Sequence, residues 1–517
     1  MAIRVAGDQR AQNLLRAVAR ITKSLFEASE PTEMLQRLVE TLAAEVAFDY
    51  VAALRFEEGG VARVAVSGDD TLALNPQLES KVLGAAQQRR SVALDSQGRR
   101  WLTAPLSLHD APYGVIVCAG ASGSFSADDL ELFEEIGRSA SMAFEYAASY
   151  AQQHALAQTL QKATLPTRLA HVPNAALSVV YSPAASELQV GGDWYDSYEL
   201  EDSRVLLTVG DVTGHGLQAS VVMGKLRHAI NVVAMYESNP VRILDTAERI
   251  VLRRYPDSVA TAFIAIIDSN NGTITYANAG HPYPIVRSAD GSLHDLKAEG
   301  LPIGLRTMAP DAEPVCESLA GVQLLTLYTD GLTEAERDPL AGERLLHRAL
   351  QTRAALYVSN VAEFIETYCL HAQSADDVAI MCLNFKQCRR WMFDSSDCYA
   401  ARRARHEFVD ELAACATPES DLKAAEIIFG ELTANAAKHA AGRVNVALEW
   451  SERTPVLHFI DRGAGCAMSA PPHPAELTEH GRGLWLLHRL GGEIDIEVLP
   501  DYGCQISVGL PVVRSQA

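Results

Sequence analysis

The chain has 517 residues, 48% of them hydrophobic and 21% charged, and its 44 Lys and Arg against 65 Asp and Glu give a formal net charge of −21. That length is more than one hydrophobic core organises and predicts about three domains. The acidic balance excludes non-specific attraction to nucleic acid or anionic lipid, which leaves proteins and small ligands as partners. Nine cysteines (Cys118, Cys316, Cys369, Cys382, Cys388, Cys398, Cys415, Cys466 and Cys504) are odd in number and include no C-x-x-C pair. They predict reduced thiols rather than a disulfide framework or zinc site. The opening MAIRVAGDQRAQNLL has no apolar signal-peptide core, and no stretch reaches the ~18 uncharged apolar residues of a membrane span. A soluble, cytoplasmic protein with no membrane contact is expected.

From Ala11 to Val46, Leu15, Val18, Ile21, Leu25, Leu35, Leu38 and Leu42 recur at helical spacing. Strand-like runs follow at Tyr50 to Phe56, Val61 to Val66, Trp101 to Leu106 and Tyr113 to Ala119, and Ser126 is placed to cap a closing helix. The ending APLSLHDAPYGVIVCAG followed by FSADDLELFEEIGRSASMAFEYA resembles a GAF domain, which implies an α/β sensor over 11–148 with an unknown small ligand. Cys118 is either a chromophore attachment point or, the favoured reading, a buried thiol within an apolar strand. The closing helix runs from about Leu130 to Leu165 across Gly137 and gives a linker, 149–170. Its stripe of Met142, Tyr146, Tyr150, Leu156, Leu160 and Ala163 suits either a transmitter helix pairing in a homodimer or a linker packed on its own domain.

Beyond it, strands alternate with long helices. Ala176 to Tyr181, Arg204 to Val209, Val322 to Tyr328 and Val378 to Leu383 read as strands, and Leu217 to Tyr236, Gly342 to Leu356 and Val361 to Leu370 as helices. Thr261 to Ile267 and Thr273 to Asn278 form a hairpin about Asn270-Asn271-Gly272. These elements predict a layered sheet with helices on its faces over 171–388. From Trp391 the pattern restarts as helix, helix, strand, strand, glycine-rich loop, helix, strand, and marks a last domain, 389–517.

Four aspartate motifs of the middle domain stand where a buried strand meets a loop: GGDWYD (Asp193, Asp196), GDVTGHG (Asp211), TDG (Asp330) and Asp376-Asp377. One Asp-Gly pair is ordinarily a turn. Four in one domain point to a cation, because converging carboxylates repel unless one sits among them, and hard divalent ions favour such oxygens. GGDWYD, GDVTGHG, ANAGHP, YTDGLTEA and DDVAIM, in that order, resemble the SpoIIE/RsbU branch of the PPM protein phosphatases. The resemblance implies an α-β-β-α sandwich and a serine/threonine phosphatase with two Mn2+ or Mg2+ ions. It makes Asp193, Asp211, Asp330 and Asp376 catalytic metal ligands, with the Val212 carbonyl as a backbone ligand and Asp196 and Asp377 as outer candidates. His215 is weighed as an acid for the leaving oxygen against a packing role, and Asn278 and His281 are expected to form a structural turn.

In the last domain Glu431, Asn435 and His439 fall at successive i, i+4 positions on one helix face. Asp461-Arg462-Gly463-Ala464-Gly465 follows a strand, and Gly481-Arg482-Gly483 opens another helix, where free N–H groups receive phosphates. ELTANAAKH, DRGAG and HGRGLWLLHRL resemble the GHKL ATPases, specifically RsbW/SpoIIAB-like serine kinases. The likeness implies Glu431 as general base, Asn435 as Mg2+ ligand, Asp461 as adenine reader, and Gly463, Gly465, Gly481 and Gly483 around ATP. Irregular Cys466 to His480 and the hydroxyl-poor Tyr502 to Gln505 leave a binder without kinase turnover as the alternative.

The combined reading is a multidomain α+β switch in which a GAF-like sensor governs a phosphatase and a kinase or anti-sigma module. The implied partners are a phosphorylated STAS-domain anti-sigma antagonist and a sigma factor. The rival readings make the last domain a binding platform only, or the whole chain a non-catalytic scaffold.

Overall fold

The computed structural model describes residues 31–515 except 46–47, 58–59, 70–73, 97, 110, 122–126, 185–190, 215, 309–312, 336–337, 372–373, 375, 451–452, 464–481 and 501. The chain divides into two units, residues 1–156 and 157–517. No helix among the described residues is long and apolar enough to cross a membrane.

The first unit contains α1 (Pro31–Glu45), β1 (Tyr50–Glu57), β2 (Gly60–Gly68), α2 (Pro76–Gln87), β3 (Val92–Ser96), β4 (Arg99–Leu108), β5 (Ala111–Ala121) and all but the last turns of α3 (Ala127–Thr164), with the antiparallel order β2-β1-β5-β4-β3. Alternation along the strands buries both faces. Val51, Ala53, Leu102, Ile116 and Cys118 meet Leu35, Leu38 and Leu42 of α1 and Phe133, Ile136 and Phe144 of α3. Tyr50, Ala52, Trp101, Val115 and Val117 meet Leu78, Val82 and Ala86 of α2. Cys118 thus has a packing role, and burial pushes its thiol well up. Gly137 does not interrupt α3. It is the crossing point on β4, where an added Cβ would lie 2.9 Å from that of Ala104. Met142 and Tyr146 of the expected stripe are 60% and 61% exposed. Ser126 and the helical run before residue 31 lie outside the described residues.

The second unit opens with β6 (Ala176–Ser182), β7 (Trp194–Glu199), β8 (Arg204–Val212), α4 (Leu217–Ala234), α5 (Pro240–Leu252), β9 (Ala260–Asp268), β10 (Thr273–Ala279), β11 (Ile285–Ser288), β12 (Leu293–Asp295), β13 (Val315–Ser318) and β14 (Val322–Tyr328). Helices α6 (Gly331–Glu334), α7 (Pro339–Gln351), α8 (Ala354–Tyr357) and α9 (Val361–Cys369) precede β15 (Val378–Asn384). Two antiparallel sheets result, β13-β10-β9-β8-β7 and β12-β11-β14-β15-β6. In β9 the even residues Ala262, Ile264 and Ile266 face α4 and α5, while Phe263, Ala265 and Ile267 face the other sheet. In β15, Ala379, Met381 and Leu383 face inward and Val378, Ile380 and Cys382 face α7 to α9. Continuous apolar strands are what two covered faces require, and the layers are α-β-β-α. The expected β9–β10 turn forms, with Asp268 Oδ1 accepting from the N–H groups of Asn270 and Asn271 at 3.0 Å and Gly272 at φ 63°.

The chain continues through β16 (Arg389–Asp394), α10 (Cys398–Cys415), α11 (Leu422–His439), β17 (Arg443–Trp450), β18 (Pro455–Asp461), α12 (Arg482–Leu490), β19 (Ile494–Leu499) and β20 (Gly503–Gly509), with order β16-β17-β18-β20-β19. Two elements differ from expectation: the domain starts with edge strand β16, and two strands follow α12. Val444, Val446, Leu448, Leu457 and Phe459 pack under the helices. The opposite face lies on α8 and α9, where the Tyr357 ring stacks on His458 with centroids 3.6 Å apart. Tyr357 also donates to Glu449 (2.5 Å), Lys386 pairs with Glu449, and Asn445 accepts from the Ser359 N–H at 3.1 Å.

Candidate active site

Strand register assembles the acidic motifs. Trp194 pairs with Gly210 across β7 and β8, so Asp193, one residue before β7, comes opposite Asp211 at the far end of β8. The Val212 N–H donates to the Gly192 carbonyl at 3.2 Å and extends that ladder. In the other sheet Tyr328 pairs with Ile380. The Thr329 N–H donates to the Ala379 carbonyl (3.0 Å), and the Ala379 N–H to Thr329 Oγ1 (2.9 Å). Asp330 and Asp376-Asp377 therefore leave neighbouring strands at one edge. Three glycines permit the approach. A Cβ on Gly191 would coincide with the Asp377 carboxylate, one on Gly331 with the Asp377 carbonyl, and one on Gly192 would strike the Val212 carbonyl and lie 2.7 Å from Asp211 Oδ1.

The carboxylates interact across the two sheets. Burial, then the charge of Asp211, pushes Asp193 well above the usual carboxylate range, and the Thr329 hydroxyl offsets part of this. Asp211 is pushed up to about 7 by burial and then by Asp330. Asp330 is raised by burial and by Asp376, and Asp377 by burial, offset in part by the Ala184 N–H bonded to its Oδ1 at 2.9 Å. Asp377, left open on sequence, thus belongs to the cluster. Asp196 does not. It accepts from Arg227 (3.2 Å) and Asn231 (2.7 Å) on α4, because alternation along β7 turns it to the helix side with Trp194. Asn278 and His281 form the expected structural turn through two mutual bonds, 2.7 and 2.8 Å. His215 lies outside the described residues.

Whether these residues fit a divalent cation turns on one orphaned atom and on the donor set. Asp193 is 2% exposed, and its Oδ2 is buried without a hydrogen-bond partner. Among the described residues no three acids close on one point as a ready metal cage. A small hard ion does not need such a cage, since Mg2+ ordinarily takes one or two carboxylates and keeps several waters. A buried group of carboxylates in which Asp193, Asp211, Asp330 and Asp377 are all raised, with a backbone carbonyl beside them, fits that mode of binding. Sequence reasoning missed the support given by Thr329, whose hydroxyl bonds Asp193, and by Tyr181, whose hydroxyl bonds Asp377; neither carries a metal signature of its own.

In the last domain Glu431 and Asn435 are half-buried on one face of α11, and His439 is exposed at its end. Asp461 closes β18, and its Oδ1 accepts from the Gly463 N–H at 2.8 Å while burial raises its pKa. Gly463 lies against the end of α11, where its Cβ would be 2.9 Å from that of Ala440. The structure thus brings Asp461 and Gly463 to the helix that carries Glu431 and Asn435. Gly483 lies in the first turn of α12, and Gly465 and Gly481 are outside the described residues.

Comparison with known families agrees with this order. A GAF domain model matches residues 30–144, the Stage II sporulation protein E (SpoIIE) model residues 201–386, and a histidine kinase-like ATPase domain model residues 395–504. Protein IcfG of Synechocystis sp. (strain ATCC 27184 / PCC 6803 / Kazusa) is 28% identical over 206 residues, 34% of this chain and 32% of that protein. Phosphoserine phosphatase RsbU of Bacillus subtilis (strain 168) is 25% identical over 185 residues, 35% of this chain and 54% of that protein. The chain therefore spans about a third to a half of the length of these curated relatives. The solved RsbU and RsbW domains of Rv1364c from Mycobacterium tuberculosis align over 66% of this chain and 95% of that one, at 24% identity and a TM-score of 0.37. In chain order, then, the protein carries a GAF-family region, a SpoIIE-family region of the PPM phosphatase type and a histidine kinase-like ATPase-family region, each over the residues matched.

Proposed function

We propose that this chain is a metal-dependent serine/threonine protein phosphatase acting on a phosphorylated STAS-type anti-sigma antagonist. In this reading the GAF domain takes a small ligand, the C-terminal domain is an ATP-binding serine kinase and anti-sigma module toward a sigma factor, and α3 pairs two copies in a cytoplasmic homodimer. One observation carries the phosphatase reading: strand register sets Asp193 opposite Asp211 and Asp330 beside Asp376-Asp377, and burial with neighbouring charge raises Asp193, Asp211 and Asp330. Asp193, Asp211, Asp330 and Asp376, with the Val212 carbonyl, would hold two Mn2+ or Mg2+ ions. Divalent metal supplies a nucleophilic water at neutral pH and offsets phosphoryl charge. The protein's own part is to fix those oxygens on strand ends and to keep the Asp193 carboxylate dry. Glu431 as base, Asn435 toward Mg2+ and Asp461 toward adenine are the roles proposed in the ATP site.

The test is incubation of the full chain with a phosphorylated STAS protein, with and without Mn2+ and ATP. Mn2+-dependent loss of phosphate, abolished in Asp211→Ala, is expected, and hydrolysis unaffected by that change defeats the reading. A second reading, a C-terminal binding platform without phosphate transfer, is favoured by Cys504, which stands opposite Asp461 and is buried in the core. ATP-dependent phosphorylation lost in Glu431→Ala supports the kinase, and no transfer by the unaltered chain supports the platform.

A further inference from the structure

His281 is 5% exposed, in the loop after β10, and its ring spans the two sheets. Its Nε2 lies 3.1 Å from the Tyr328 backbone carbonyl and its Nδ1 lies 2.9 Å from Thr261 Oγ1. A carbonyl only accepts, so Nε2 carries the proton and Nδ1 accepts from the threonine hydroxyl. Burial pushes the ring down to about 3, so this neutral tautomer persists across the working pH range. The two partners have meaningful addresses. Thr261 is the β9 residue paired with Asp211, and Tyr328 ends β14 two residues before Asp330. The loop that carries the ring is itself fixed. Asn278 bonds both the N–H and the carbonyl of His281, Gly280 sits at φ 69°, and a Cβ on Gly300 would overlap the Asn278 carbonyl.

We propose that His281 is a positioning residue for divalent metal, its imidazole setting the gap between the strand end that bears Asp211 and the strand end that bears Asp330. The inference rests on the metal-dependent reading above. Each sheet supplies one pair of carboxylates, and ions shared between the pairs depend on a separation that neither sheet sets alone. Among the described residues of the turn, the His281 ring alone reaches from β9 to β14, so a residue remote in sequence from every aspartate motif helps set how the acids meet. The imidazole touches no metal and moves no proton.

The experiment is calorimetric titration of Mn2+ alone into the full-length protein, without nucleotide or substrate, for the unaltered chain and for His281→Phe, His281→Gln, Thr261→Val and Asp211→Asn. His281→Phe is expected to weaken Mn2+ binding about tenfold, the lower end of the effect of residues that orient a metal ligand from behind. His281→Gln, which keeps one donor and one acceptor, recovers most of that loss. Thr261→Val, which removes one bond, weakens binding about threefold. The Mn2+ concentration for half-maximal hydrolysis of p-nitrophenyl phosphate rises in step, while the rate at saturating Mn2+ changes less. A purely structural role would lower metal-free melting and leave Mn2+ affinity where it was. Unaltered affinity in His281→Phe, or in Thr261→Val where the first variant does not fold, overturns the proposal. Should the unaltered chain bind no Mn2+ that Asp211→Asn removes, the metal-site reading falls first and this inference falls with it.

Discussion

Replacing Asp211 by Asn removes a charge that the metal-free fold carries at a cost. Burial and the neighbouring Asp330 lift this carboxyl from an ordinary 3.8 to about 7. Because the folded value is the higher one, the native state holds its proton more tightly, and stability falls as pH rises from about 4 to about 7. The difference corresponds to about 4 kcal/mol at pH 8, an upper figure because the neighbouring acids share protons and relax, and to less than about 1 kcal/mol at pH 4. Asn has the shape of the protonated acid without the titration. In EDTA, Asp211→Asn should therefore melt several degrees higher than the unaltered protein at pH 8 and nearly the same at pH 4. Saturating Mn2+ should reverse the order at pH 8, stabilising the unaltered protein and leaving the variant where it was. A variant less stable than the parent in EDTA at pH 8, or one that Mn2+ stabilises equally, refutes the electrostatic account of this site.

Gly192→Ala places a methyl group against the Val212 carbonyl and 2.7 Å from Asp211 Oδ1, so Mn2+-dependent hydrolysis should drop at least about tenfold while circular dichroism stays native. Burial alone would raise Glu449, but bonds from His458, Lys386 and Tyr357 outweigh it and hold the carboxylate down at about 2. Its stabilising effect is therefore full above about pH 4.5 and lost toward pH 2. Urea titration should find Glu449→Gln about 1–2 kcal/mol less stable at pH 7, a figure discounted for partial exposure, with the gap closing below pH 4.5. Residue-resolved thiol labelling of the native protein should modify exposed Cys316 and Cys398 quickly, and buried Cys118, Cys369 and Cys382 only in denaturant.

Much of the fold was legible because period and burial coincide. The apolar runs of β9 and β15 read as strands covered on both faces, and both are. Strands β3 and β16 escaped notice for opposite reasons. Val92–Ser96 is short and half-exposed beside a charged turn, while in Arg389–Asp394 only Trp391 and Phe393 point inward, too few for an alternation to stand out. The acids of the site were visible one by one, but their pairing is a matter of register, which no local motif states. Asp196 illustrates the limit. It sits in the same motif as Asp193, yet period two turns it to Arg227 and Asn231 on α4. His281 was legible only as a turn residue, since its partners Thr261 and Tyr328 are 20 and 47 positions away.

The outer face of the C-terminal sheet shows why polarity in a strand does not by itself mean solvent. Asn445, His458, Gln505 and Ser507 alternate with the apolar residues under α10 to α12, the pattern of a half-solvated sheet, yet all four are buried. They lie on the face turned toward α8 and α9, where Ala447, Ile460, Leu499 and Tyr502 join the apolar cluster of Tyr357 and Phe364. Polar groups in such a seam are neutral in net energy when paired and costly when one partner is deleted, so their contribution is to register more than to adhesion. Attraction between the layers then comes from the apolar members and the ring contacts, Tyr357 stacked on His458 and Phe364 edge-on to Tyr502. A seam built in this way holds the C-terminal sheet at one setting on α8 and α9.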